Sequence, residues 1–118
     1  TCDNGQGSIY TYGDTYVQGR CNGGFAADPP SGPTFVTGSL SQCHGQGFAS
    51  NVYDLSGNVA EWTDSCYPNP TDANSPYVCR QAGGAHTHIM SELACNQPKS
   101  VNNTTSDDLG GFRCCWTP

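Results

Sequence analysis

Hydrophobic residues occur along this chain in short runs that Gly, Pro, Asn and Ser interrupt. The alternation from Ile9 to Tyr12, followed by Gly13-Asp14, predicts a short strand and a turn. Residues 25–50 have no sustained period of 3.6 or 2, which predicts a loop. A strand entered through Gly83-Gly84 is predicted over Arg80 to Met90. A short, buried strand is predicted at the C-terminal end, over residues 109–116.

The remaining polar segments are predicted as loops. Residues 66–79 contain three prolines and read as a surface loop pinned at its base, and residues 95–108 read as a second polar loop. Large apolar side chains usually pack in the core, so we expect Trp62, Phe112 and Trp116 to form it.

Composition narrows the fold class to a turn-rich domain with a small core. The 118 residues include 15 Gly and 8 Pro, and 35% are hydrophobic, which argues against a helical bundle. Eight cysteines indicate a disulfide framework formed in an oxidising compartment. A zinc site is disfavoured because the chain has no CxxC pair and because Cys114 and Cys115 are adjacent.

Charge and hydropathy exclude several kinds of partner. The net charge is −6 and the four basic residues are scattered, so nucleic acid and anionic membranes are poor partners. No apolar run approaches the roughly 18 residues of a membrane span, and the first residues do not form a signal peptide. These features predict a mature, exported polypeptide that is secreted or lies at the cell surface.

The chemistry concentrates in the stretch Asn51 to Cys66. Asp54 and Glu61 lie seven positions apart, and Gly57-Asn58 between them can fold the backbone back. Carboxylates and inward-facing carbonyls are the oxygens that Ca²⁺ prefers, although the spacing is not that of an EF-hand. The alternative is an ordinary turn in which both carboxylates are solvated.

Tyr53 to Trp62 resembles the "YDMxGNVWEW" signature of the formylglycine-generating-enzyme family, also called the sulfatase-modifying-factor domain. Four further segments resemble the family's "YPWGD", "RGGSW", "LRCA" and "GFRC" in the right order: residues 10–14, 83–84, 93–95 and 110–114. The resemblance implies a variant C-type lectin fold of the α+β class with little regular structure. It also implies that residues 1–118 are a single domain, the C-terminal portion of the family domain without its N-terminal third.

Calcium coordination follows from the resemblance at two places. In the central loop it implies Asp54 and Glu61 as side-chain ligands and Gly57 and Val59 as carbonyl ligands.

The second site would use Asn22 and Asp28, with the carbonyls of Gly23 and Pro30; a plain turn at Asn22-Gly23-Gly24 is the alternative. Ala60 and Ala85 replace the Trp and Ser of the family motifs, which predicts looser packing around the loop.

Cysteine pairing is predicted in part by the resemblance. It implies a disulfide between Cys2 and Cys95. From the residues themselves, Cys21 and Cys43 are expected to pair because they bracket a loop, and Cys66 is expected to pair with Cys79 because this is the most local choice.

Family members ending "GFRCC" bond these last cysteines to the segment that is missing here. Cys114 and Cys115 would therefore form a vicinal disulfide, which is rare and strained, or bond to another polypeptide. We favour a second chain or a neighbouring subunit.

Catalysis is not expected. In the formylglycine-generating enzymes two cysteines after "GGS" bind copper, whereas Ala85 to Leu93 contains no cysteine. His86 and His88 would face one side of a strand and permit a metal pair, but no third ligand is evident. We predict a non-catalytic, calcium-stabilised binding or assembly module. The alternatives are an oxidoreductase of this family and a carbohydrate- or protein-binding C-type-lectin-like adhesin.

Overall fold

The computed structural model describes residues 7–24 and 32–114. The regular elements are four strands and two short 3-10 helices: β1 Ala60–Pro68, β2 Tyr77–Ala82, β3 Lys99–Asn102, β4 Gly110–Gly111, and helices Gly47–Ala49 and Met90–Leu93. The strands form one sheet in the order β3-β2-β1-β4. β4 runs parallel to β1, and the other neighbours are antiparallel. The fold is thus mostly strands with few helices, and it is cross-linked by disulfides.

The centre of the sheet is the hairpin of β1 and β2. Cys66 and Cys79 are directly opposite each other with a Cα–Cα distance of 4.0 Å, and their disulfide confirms the predicted pairing. The predicted loop between them is shorter than expected, because pairing continues outward to Pro68 and Tyr77. Only residues 69–76 form the connection between the strands.

The strand predicted over Arg80 to Met90 is wrong in its position. β2 lies earlier in the chain and ends at Ala82. Gly83 and Gly84 have φ values of 84° and 65°, so the backbone leaves the extended region there instead of entering it.

Two other predicted strands and one predicted loop also differ from the structure. The strand expected over Ile9 to Tyr12 is only an isolated bridge, because Tyr10 and Gly13 exchange both backbone hydrogen bonds around a tight turn. The predicted polar loop over 95–108 contains β3, which pairs with β2. The C-terminal strand is limited to the half-buried Gly110–Gly111 in the part of 109–116 that is described.

The core lies beside the sheet, around the Cys21–Cys43 disulfide. Its buried members are Tyr10, Tyr12, Cys21, Cys43, Leu93 and Ala94. The Tyr10 and Tyr12 rings stack with their centroids 5.5 Å apart, and the Arg20 guanidinium lies 4.7 Å from the Tyr12 centroid. A disulfide and tyrosines thus supply the apolar surface that aliphatic side chains supply in most domains.

The core position predicted for Phe112 is wrong, and that for Trp62 is met only in part. Phe112 is 81% exposed and Trp62 is only half-buried, while Trp116 lies outside the described residues. The order of the chain alone does not reveal that the N-terminal tyrosines reach the segment around Leu93. Within the described residues, no helix is long and apolar enough to cross a membrane.

Candidate functional site

Residues 53–62, which we call the cation loop after the prediction made for them, adopt a backbone that few residue types tolerate. Asp54 and Asn58 have φ values of 59° and 67°, and Gly57 has a φ of 80°. Apart from glycine, Asn and Asp are the residues that adopt this left-handed backbone conformation at the lowest cost in free energy. A Cβ at Gly57 would also overlap the carbonyl of Asn22, so glycine is required there for two reasons. The sequence Asp-x-x-Gly-Asn therefore encodes the shape of the loop.

Asn58 connects this loop to two other segments. Its Oδ1 accepts hydrogen bonds from Asn22 Nδ2 at 3.1 Å and from the Phe35 N–H at 2.8 Å, and its Nδ2 donates to the Phe35 carbonyl at 3.1 Å. The backbone N–H of Asn58 donates to the Asn22 carbonyl at 2.7 Å. The side chain is buried, at 6% exposure. Sequence reasoning assigned Asn58 only to the turn and missed this role.

The predicted calcium ligands Asp54, Gly57 and Val59 retain free oxygens. Asp54 is 7% exposed, and its Oδ2 accepts a hydrogen bond from the Gly38 N–H at 2.8 Å. No described cation pairs with this carboxylate, and no described donor bonds the carbonyls of Gly57 or Val59. Buried oxygens of this kind are the donors that a hard cation selects.

Glu61, the fourth predicted ligand, is held by Arg113. The guanidinium contacts the carboxylate through Nη2 at 2.6 Å and through Nε at 3.0 and 3.2 Å. The same Nη2 donates to the Tyr53 carbonyl at 2.8 Å, so Glu61 lies beside the residue that precedes Asp54. Glu61 Oε2 takes only the longest of these contacts. The two predicted carboxylate ligands thus differ: Asp54 has no described cation beside it, whereas Glu61 is bonded to Arg113, a neighbour that the sequence did not reveal.

The predicted second calcium site is described only in part. Asn22 is buried, and its Nδ2 donates to the Pro33 carbonyl and to Asn58. Gly23 has a φ of 146°, and its carbonyl accepts a hydrogen bond from the Tyr16 hydroxyl at 3.3 Å. Asp28 and Pro30 lie outside the described residues. The direct bond between Asn22 and Asn58 links this segment to the cation loop.

The other disulfide predictions have different outcomes. The Cys21–Cys43 pair is confirmed, with a Cα–Cα distance of 4.9 Å. Cys95 is disulfide-bonded, but the predicted pair with Cys2 lies outside the described residues. Cys114 is a free, exposed thiol, and the alternatives given for Cys114 and Cys115 stay predictions. Cys115 also lies outside the described residues.

The two histidines lie on a turn and not on a strand. The His88 N–H donates to the Ala85 carbonyl, and the Ala85 N–H donates to His88 Nδ1 at 2.9 Å. His86 Nδ1 lies 3.0 Å from the Asn58 carbonyl and must donate to it. Each Nδ1 therefore bonds to the backbone. The described part of the chain contains no group of three or more His, Cys, Asp or Glu arranged to hold a metal ion.

His88 is a neutral hydrogen-bond donor at neutral pH. Burial lowers its pKa below 6.5; Glu92 opposes this shift, whereas Lys99 reinforces it. Because Nδ1 accepts the Ala85 N–H, the proton of the neutral ring resides on Nε2.

A cavity of about 180 Å³ lies between this turn and the sheet, and we call it the polar pocket. Its lining residues are Ala60, Gln81, Gly84, His88, Glu92, Gln97 and Lys99. Five of the seven carry polar or charged side chains. The pocket is built from β1, β2, the start of β3 and the segment after Gly83, and sequence reasoning did not bring these residues together.

The profile of the family described as the sulfatase-modifying factor enzyme 1-like domain matches residues 7–118. The chain therefore belongs to this family, as the motifs around the cation loop indicated. No curated protein and no solved structure matches the chain.

Proposed function

We propose that this chain is an exported, calcium-stabilised binding module of its family and that it does not perform the oxidase reaction. The observation that carries the proposal is the composition of the segment from Ala85 to Leu93. It has no cysteine where the resemblance implies a copper-binding pair, and thiolates are the ligands that select Cu(I). In place of thiolates, this segment contributes His88 and Glu92 to the polar pocket.

The binding role also has structural support from the disulfides. Cys21–Cys43 fixes the core, and Cys66–Cys79 fixes the central hairpin. Such cross-links persist in oxidising compartments, which supports a secreted or cell-surface location. The variant C-type lectin fold implied by the resemblance belongs to the same proposal.

Calcium would be held by the side chains of Asp54 and Glu61 and by the carbonyls of Gly57 and Val59. A buried carboxylate without a described cation supports this assignment. When bound, the ion would neutralise the loop and stabilise the fold.

Asn22, Gly23, Asp28 and Pro30 remain the proposed ligands of a second ion. The direct hydrogen bonds between Asn22 and Asn58 support this part of the proposal, because they would couple the two sites.

Two assays test the proposal. An ion that binds only the folded state at 100 times its Kd stabilises by about 2.7 kcal/mol, so a chelator should lower the melting temperature by several degrees. The copper-supplied protein should not convert the cysteine of a sulfatase-motif peptide to formylglycine. An unchanged melting curve would refute calcium stabilisation, and turnover of the peptide would refute the non-catalytic assignment.

A covalent partner is a further part of the proposal. Cys114 is an exposed thiol next to Arg113, at the end of β4, where a second polypeptide can reach it. Electrophoresis of native material without reductant should show a larger species that reductant converts to the 12.4 kDa chain. A single monomer band under both conditions would contradict this assembly.

A further inference from the structure

The side-chain amide of Gln81 lines the polar pocket. Gln81 on β2 is 5% exposed and lines the pocket, and its side-chain amide bonds to none of the described residues. Its amide atoms are not among the described side-chain atoms that are sealed from solvent without a partner, so they are open to a ligand or to water in the cavity.

Two opposite charges also line the pocket without pairing with each other. Glu92 and Lys99 both act electrostatically on His88, yet they form no ion pair. Glu92 Oε2 accepts the Ile89 N–H at 3.1 Å, which fixes the position of the carboxylate and leaves Oε1 available. The pocket lining thus offers one carboxylate and one ammonium group, both on exposed residues.

The small side chain of residue 60 borders the pocket. Ala60 is 3% exposed and forms part of the wall. The family signature has tryptophan at this position, and an indole there would project into the space that the cavity occupies. The cavity volume of about 180 Å³ corresponds to roughly six water molecules at about 30 Å³ each. This volume accommodates a free amino acid.

We propose that the polar pocket binds a small zwitterion the size of a free α-amino acid, with its ammonium group at Glu92 and its carboxylate at Lys99. The Gln81 amide and the Nε2–H of neutral His88 supply additional hydrogen bonds. A neutral polyol would leave both charges without partners, and a simple anion would be repelled by Glu92. The inference rests on the proposed function, because it specifies the ligand class of the binding module.

The test is a titration of the isotope-labelled protein with the free amino acids, observed by NMR. At least one should bind saturably and shift the side-chain amide resonances of Gln81. Acetylating the amine or amidating the carboxylate of that ligand should weaken binding about tenfold or more, because each change removes a charged hydrogen-bonding partner. Equal binding of either derivative, binding of neutral monosaccharides instead, or no binding at all would overturn the proposal.

Variants locate the site. Ala60→Trp should abolish binding while the melting temperature stays near that of the wild type, and Lys99→Met should weaken binding about tenfold or more. Arg80→Met changes an exposed charge on the neighbouring strand and should leave binding unchanged. If Ala60→Trp does not fold, Lys99→Met and the Gln81 resonances still decide the outcome. Wild-type affinity in Lys99→Met would contradict the assignment.

The titration is performed both with calcium and with a chelator. Failure of calcium stabilisation would appear in the melting curves of the unliganded protein. Failure of the pocket assignment would appear as a lack of amino acid binding in a protein that still responds to calcium. The two outcomes are therefore distinguishable.

Discussion

Replacing the buried Asn58 by alanine should destabilise the protein much more than replacing an exposed asparagine. The change removes three side-chain hydrogen bonds, one with Asn22 and two with the backbone of Phe35. At about 1 kcal/mol each they contribute about 3 kcal/mol. Alanine at the observed φ of 67° adds about 1 kcal/mol, since it lacks the tolerance of asparagine for this region. The expected loss in the free energy of unfolding is about 3–4 kcal/mol.

Urea unfolding with the disulfides intact measures this loss, and matched variants separate its causes. Asn58→Asp keeps an acceptor for the Phe35 N–H but sets a carboxylate oxygen against the Phe35 carbonyl, so the lost donation, about 1 kcal/mol, is a lower bound on its cost. Asn96→Ala removes an exposed amide and should change stability by less than about 0.5 kcal/mol. A loss below about 1 kcal/mol for Asn58→Ala would refute the role of Asn58 as the connection between the three segments.

Three further predictions concern cross-links and charges. Replacing Cys66 and Cys79 together by alanine should lower the free energy of unfolding by about 3 kcal/mol, the value expected when a disulfide closes a loop of about 14 residues. A decrease below about 1 kcal/mol would contradict this prediction. Arg113→Gln should cost about 1 kcal/mol, and a double-mutant cycle with Glu61→Gln should show coupling between the two side chains; additive effects would mean that the pair contributes nothing. Burial lowers the pKa of His88, so below about pH 6.5 the unfolded chain binds a proton that the folded chain does not bind. The free energy of unfolding should therefore fall as the pH drops, until the pH passes the folded-state pKa. His88→Asn keeps an acceptor for the Ala85 N–H and should flatten this part of the pH profile; an unchanged slope would contradict the assignment.

The features that local sequence encodes were predictable. Cys66–Cys79 is a close pair flanked by turn residues, and Cys21–Cys43 brackets a loop, so proximity along the chain was a sound guide. The shape of the cation loop was also readable, because Gly57 permits what other residues do not. The disulfide pairs and the loop shape both depend on residues that lie about 20 positions or fewer apart in the chain.

The features that depend on long-range packing were not predictable. The bond between Arg113 and Glu61 spans 52 positions, and no spacing rule connects them. The hydrophobicity of Phe112 favoured a core position, yet its neighbour Arg113 is bonded to Glu61 while Phe112 remains exposed. Tyrosines near the N-terminal end replaced it in the core because the Cys21–Cys43 disulfide and Leu93 lie against them.

The polar pocket illustrates the same limit for function. Gln81 and Lys99 belong to different strands and had no motif to mark them, and they meet only because β3 pairs with β2. Ala60 was visible as a departure from the family signature and lies in the wall of the cavity, while the looser packing that it predicts around the loop stays a prediction.

Calcium titration by isothermal calorimetry is the measurement that tests the central claim most directly. The folded wild-type protein should bind Ca²⁺ saturably, with a Kd of about 10⁻³ M or tighter as in extracellular modules. Asp54→Asn keeps an acceptor for the Gly38 N–H and the tolerance for a positive φ but removes the charge, so it should lose this binding. Asp64→Asn, an exposed control on β1, should retain it. A folded wild-type protein that shows no calcium binding, or an Asp54→Asn variant that binds as tightly as the wild type, would contradict the account.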